Sequence, residues 1–352
     1  MIDILNLALP YFGLIFIGYA CGKYKKLPEA GLEWMNFFLL YVSLPALFFR
    51  TLAKTPLEEL NNPPFVIATT LATASAFFLS MFGVKYIAKL STRESAMAGL
   101  GGGYGNIGYM GPGLALATLG AKATAPVALI FCFDTIFLFT AAPLLMVLTD
   151  GKQRPLLPTI LLVAKQILLH PLIVASYLGV LVAALHVPVP VAVDNTFQFL
   201  QSAAAPVALF ALGVTVALRP FERVPWEVPG VIVVKLILHP LIVAGLLLLL
   251  GPFPPAWAAT ALLLASLPPA LNVFVIARQY DTWIEPASTL VLVGTFVSVV
   301  TLTSVMWMIK TGVIVFTLCS PYIRIFVLRD GRRAANIRPN SGNLAGNSAN
   351  EV

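Results

Sequence analysis

Two stretches of the chain set helix breakers beside an asparagine in otherwise apolar surroundings. Residues 98–116 read AGLGGGYGNIGYMGPGLAL, with eight glycines, Asn106 and Pro112. Residues 263–280 read LLASLPPALNVFVIARQY, with the pair Pro268–Pro269 and then Asn272. Two consecutive prolines remove two backbone donors and unwind a helix. Glycines in such number exceed what close helix packing uses. Aligned on their breakers, Gly102 and Gly103 correspond to Pro268 and Pro269, and Asn106 to Asn272. The chemistry open to such a pair is anion recognition. A broken helix aims the N-terminus of its second half, carrying roughly half a positive charge, at whatever occupies the break. An asparagine amide adds donors suited to a carboxylate. The bland alternative is two kinked helices repaired locally with no ligand, and finding two breaks at matched positions favours the site.

Three ionisable residues fall well inside apolar runs: Asp134, Lys165 and Lys235. Each costs about 2.5–3.5 kcal/mol to insert at a helix centre, so each is a functional candidate. Asp134, in FCFDTIFLF, has no basic neighbour in sequence. It is a candidate proton carrier, or else an aspartate that ties one helix to another. Lys165 precedes His170-Pro171 and Lys235 precedes His239-Pro240 in the similar segments KQILLHPLIVA and KLILHPLIVAG. That echo suggests a shared role, either attracting an anion or pairing with Asp134, or structural anchoring with the amine snorkelling. The two histidines are expected to bond backbone freed at the following proline.

The elements that hold these residues follow from composition. Hydrophobic residues make up 59% of the 352 positions and charged residues 11%, against roughly 25% charged in a soluble domain. Lipid must therefore be the solvent. Apolar runs between breakers predict ten membrane helices, at 4–22, 34–53, 63–88, 94–121, 123–149, 157–185, 191–218, 226–250, 255–281 and 283–309. The first run is read as a retained span rather than a signal peptide, because Lys23, Lys25 and Lys26 follow it instead of preceding it. With the N-terminus outside, the inner links hold eleven lysines and arginines, and the outer side up to residue 310 holds four: Arg50, Lys54, Lys122 and Lys310. That asymmetry sets the orientation. The net charge of +7 is dispersed among links, so nucleic-acid binding is not indicated. Cys21, Cys132 and Cys319 lie in separate apolar segments, which argues against disulfides and a zinc site. No cofactor or metal is expected.

The chain divides into a first five-helix repeat at 1–150, a second at 151–310, and an extension at 311–352. LPALFF at 44–49 echoes APVALFALG at 205–213, and the interrupted spans are the fourth and ninth. An offset of five spans gives the halves opposite orientations, an inverted repeat. The extension holds an apolar run to about residue 328: an eleventh span, a surface helix or a hydrophobic extension of no function. Its polar tail, rich in Asn, Ser and Gly, reads as disordered.

GNIGYMGPGLAL at 105–116, SLPPALNVFVIARQY at 266–280 and VSLPALFF at 42–49 give the chain its likeness to a known family. In these segments it resembles the auxin efflux carriers, a family that includes plant auxin carriers and bacterial malonate and malate permeases. The resemblance implies an all-α membrane protein of ten helices built as five plus five, with helices four and nine broken and crossing at the substrate site. It also implies carboxylate substrates, such as malonate, malate or an auxin-like acid, bound by Asn106, Pro112, Pro268, Pro269 and Asn272. The family ends near Lys310, so the extension departs from it.

An enzyme is disfavoured: H-E-x-x-H, G-x-S-x-G and a phosphate-binding G-x-x-x-x-G-K-[ST] are all missing. Residues 98–116 and 263–280 contain no acidic residue, which argues against a cation as cargo. The expectation is therefore a secondary transporter of a small mono- or dicarboxylate in a bacterial cell membrane. A sodium- or proton-coupled symporter of the bile-acid type and a sensor or channel on the same architecture stand as alternatives. The oligomeric state is open, a homodimer included.

Overall fold

The computed structural model describes residues 2–25, 29–149, 161, 165, 168–218 and 224–312. The predicted link at 150–156, the apolar run beyond Gly312 and the polar tail lie outside the described residues. Among those described, every named element is helical. Six stretches of the described residues are long and apolar enough to cross a membrane: Gly31–Ala53, Pro63–Ala88, Thr124–Met146, Val191–Leu218, Val228–Leu250 and Ile284–Lys310. The first predicted span is the helix α1 (Ile2–Lys25). Of the sixth, the longest described stretch is a shorter helix, α9 (Pro171–Ala184), introduced by His170.

The fourth and ninth predicted spans are not continuous helices. The fourth is α6 (Thr92–Gly103) followed by α7 (Gly111–Leu119), and the ninth is α13 (Pro255–Ala265) followed by α14 (Leu271–Gln279). Local chemistry accounts for the ends. Ser91 caps α6 in a reciprocal box with Glu94. Pro112 occupies the first turn of α7, where its missing N–H costs nothing.

Two packing groups surround the breaks. One comprises α1, α2 (Glu29–Phe38), α3 (Leu44–Ala53), α9 and α10 (Val191–Leu218). Within it α1 lies on α10 through glycines: a β-carbon at Gly213 would collide with the carbonyl oxygen of Ile15, and one at Gly18 with that of Phe210. Small residues that let backbones meet are the usual glue of helices in lipid. After the short helix α4 (Leu57–Leu60) comes the second group: α5 (Pro63–Gly83), α6, α7, α8 (Thr124–Thr149), α11 (Val228–Val233), α12 (His239–Leu250), α13, α14 and α15 (Ile284–Lys310). The groups meet along α3–α8, α7–α10 and α1–α15.

Π-helical turns precede two of the helix prolines, Leu39–Ser43 before Pro45 and Val234–Leu238 before Pro240. A proline ring clashes with the carbonyl four residues back, and a widened turn relieves that clash.

Candidate functional site

The two breaks cross. Tyr104–Asn106 and Pro268–Ala270 run antiparallel, with Gly105 opposite Pro269. Asn106 N donates to Pro268 O at 2.8 Å, and Ala270 N donates to Tyr104 O at 3.0 Å. Those bonds flank the Gly105–Pro269 pair and leave it without a bond of its own. Proline therefore fits at 269, because the ladder asks for no N–H there. Glycine fits at 105, because Cα atoms approach most closely at such a pair.

Four half-helix ends converge on this crossing. α6 and α13 arrive with their C-termini, and α7 and α14 leave with their N-termini. Of the sequence-predicted residues, Pro112 is buried in the first turn of α7 and Pro268 and Pro269 form one strand of the crossing. Asn106 is 2% exposed. Its backbone carbonyl accepts from Met110 N and Gly111 N, both at 3.1 Å, and its side-chain Oδ1 has no partner among the described residues. Asn272 is partly exposed, and its Nδ2 donates to the Tyr104 hydroxyl at 3.0 Å. The asparagines are thus close in the fold without being locally equivalent. The link after α6 spans 104–110 and that after α13 spans 266–270, so Asn106 lies inside its link while Asn272 has entered the next helix.

Asp134 and Lys235 come together beside the crossing, joined through two other side chains. Thr73 Oγ1 donates to Asp134 Oδ2 at 2.7 Å, and His239 Nε2 lies 3.3 Å from the same hydroxyl. Lys235 Nζ lies 2.9 Å from His239 Nδ1 and donates to Ala265 O at 2.8 Å. Thr73 gives its one hydrogen to Asp134, so His239 supplies the next from Nε2 and accepts from Lys235 at Nδ1. The result is one directed chain from ammonium to carboxylate. All four side chains are buried, and with Gly103 and Gly105 they line a cavity of about 10 Å³.

Two expectations are corrected here. His239 bonds side chains, not freed backbone. Lys165 does not share the setting of Lys235: it is exposed, whereas Lys235 is fully buried and does not snorkel. The spacing explains the difference. Lys235 and His239 are four residues apart within continuous helix and share a face, whereas Lys165 and His170 are five apart and His170 is the extended residue that introduces α9. His170 instead packs against Phe139, ring centroids 6.3 Å apart.

A larger cavity lies toward each end of the chain's long helices. One of about 630 Å³ is lined by Glu33, Thr215, Leu271, Phe274, Arg278 and Ser288, and so reaches the first residue of α14. The other, about 990 Å³, is lined by Arg50, Lys54, Glu58, Leu116, Lys122 and Gln201. Two of these lining residues, Arg50 and Lys54, are held by Asp194, with Arg50 Nε and Lys54 Nζ each 2.8 Å from its carboxylate. Three of the four basic residues counted on the outer side therefore share one basin. Thr73, Tyr104 and Asp194 did not stand out in sequence. A hydroxyl in an apolar span and an aspartate at a span end carry no signal without their partners, whereas the one-residue difference between the two Lys–His spacings was there to read.

The comparisons follow the geometry. A family model described as membrane transport protein matches residues 3–306. Over 314 residues the chain is 44% identical to a Rhizobium meliloti (strain 1021) protein named "Putative malonate transporter", covering 89% of this chain and 98% of that one. It is 26% identical over 302 residues to "Uncharacterized transporter YfdV" of Escherichia coli (strain K12), covering 83% and 93%. "Auxin efflux carrier component 6" of Arabidopsis thaliana is 32% identical over 116 residues, which are 32% of this chain and 20% of that protein. With its apolar helices and a match over nearly all of residues 1–310, the chain is a multi-pass membrane transporter and belongs to the membrane transport protein family, that of the auxin efflux carriers.

Proposed function

We propose that the protein moves a small mono- or dicarboxylate, malonate foremost, by alternating access, with the anion held between the N-termini of α7 and α14. The observation that carries this reading is the crossing. Two half-helix N-termini meet there beside Asn106, Asn272 and the Tyr104 hydroxyl, and 98–116 and 263–280 contain no acidic side chain. Aligned N-terminal donors in a low-dielectric setting suit a carboxylate. The name of the Rhizobium meliloti relative supports malonate.

In this reading the halves are inverted five-helix repeats and the N-terminus is outside. The cavity at the Glu33 end then opens to the cytosol and reaches Leu271, while the basin at the Arg50 end stops at Leu116, in the second turn of α7. This is an inward-facing arrangement. Asp134 is proposed as the proton carrier, because its hydrogen-bonded chain leads to the crossing. Uptake of radiolabelled malonate into proteoliposomes tests the whole. Saturable uptake, inhibited by other short carboxylates and not by their neutral amides, is expected. Tight malonate binding without flux would instead identify a sensor.

A further inference from the structure

Lys235 stands where the negative ends of both broken spans converge. α6 ends at Gly103 and α13 at Ala265, and each helix brings the equivalent of roughly half a negative charge to that point. Lys235 Nζ donates to the carbonyl of Ala265, the last residue of α13, at 2.8 Å. The crossing strand is equally close: a β-carbon added at Gly105 would lie 2.9 Å from Nζ and 3.3 Å from Cε. The ammonium is fully buried, and the cavity around it, about 10 Å³, is about the size of one water-sized sphere. Besides Lys235, its ionisable lining residues are Asp134 and His239.

We infer that the Lys235 ammonium is a built-in counter-cation of the crossing, filling the place a bound monovalent cation would take, so that the protein works without sodium. A buried ammonium persists only if other groups replace its hydration. Here the Ala265 carbonyl, His239 Nδ1 and the chain to Asp134 do so. A metal ion needs the same carbonyl oxygens, and the remaining space does not hold both. Two sequence features make the arrangement fit. The π-helical turn Val234–Leu238 carries the lysine, and Gly105 leaves room for its tip.

The test uses purified full-length protein, melted in sodium, ammonium or N-methylglucamine salts at matched ionic strength, with no carboxylate present. Its outcome is therefore independent of whether malonate is the cargo. Wild type should melt at the same temperature in sodium and in N-methylglucamine. Lys235→Ala, which opens the cavity, should melt several degrees lower in N-methylglucamine and regain much of the loss in ammonium, because a ligand bound to the folded state alone raises its stability. Lys235→Met keeps the stem without the charge, and it should be destabilised and not rescued. A Lys235→Met protein as stable as wild type would overturn the inference. So would a Lys235→Ala protein indifferent to ammonium. Should neither variant fold, wild type still decides: stabilisation by sodium refutes a built-in cation, and equal melting supports it.

Discussion

Gly294 of α15 lies so close to Pro269 that a β-carbon there would sit 2.7 Å from the proline Cδ and 2.8 Å from Cγ. The ring is rigid and its strand is bonded to Tyr104 and Asn106 on either side, so neither partner yields easily. Gly294→Ala should therefore destabilise the protein by about 1–3 kcal/mol, as overpacking does. It should also reduce transport by displacing the crossing. Gly245→Ala in α12, where a β-carbon meets nothing within 4 Å, is the control and should be neutral or slightly stabilising. Melting temperatures of the two variants, measured side by side, check the contrast.

Asn272 is the reachable asparagine of the crossing, and its amide is already turned toward the Tyr104 hydroxyl. If it contacts the carboxylate, Asn272→Ala removes a hydrogen bond to a charged group, worth about 1.5–3 kcal/mol. Malonate affinity should then fall roughly ten- to 150-fold. Asn106→Ala should lose affinity similarly if its amide nitrogen is a second donor to the carboxylate. Calorimetric affinity and melting temperature on the same samples separate binding from stability. Unchanged affinity in both variants would place the substrate elsewhere.

Asp134→Asn keeps the volume of the side chain and its bond to Thr73 while removing the exchangeable proton. The variant should still bind malonate but lose the dependence of uptake on an imposed pH gradient. Uptake with an unchanged pH profile would make Asp134 a tie between α5 and α8 and nothing more.

Orientation is open to single-cysteine labelling in a background lacking Cys21, Cys132 and Cys319. Glu58 and Lys25 are both exposed, near opposite ends of the membrane helices. Glu58→Cys should react with an impermeant maleimide in intact cells, and Lys25→Cys only after permeabilisation. The reverse pattern would invert the charge-based assignment.

The breaks in the fourth and ninth spans were legible in sequence because glycine and proline act on their own backbone. Their register was not. The alignment of Gly103 with Pro269 fails as a guide to contact, since Gly105 is the residue that meets Pro269. The two links differ in length, and the backbone bonds Asn106 N to Pro268 O and Ala270 N to Tyr104 O, formed between segments far apart in sequence, set which residues face each other. Asp134 and Lys235 were visible as isolated charges in apolar runs, yet the connection between them depends on Thr73, one of several threonines with nothing local to distinguish it. The echo joining Lys165 to Lys235 misled for a simple reason. Lys235 and His239 stand in continuous helix, whereas His170, one residue further from its lysine, is an extended residue ahead of α9.

The order in which the chain is made gives the Gly105–Pro269 pairing a temporal meaning. A ribosome delivers residues 104–106 long before residues 268–270 exist. Until the later segment inserts, the Asn106 N–H and the Tyr104 carbonyl have no strand to meet, at a depth where lipid supplies no substitute. The first half must therefore wait in the membrane incomplete, open to quality-control proteases and in need of shielding. Nascent chains halted before residue 268 should be short-lived in cells, whereas chains halted after α15 should persist. Completion of the crossing is thus a late assembly step, and it commits both halves at once.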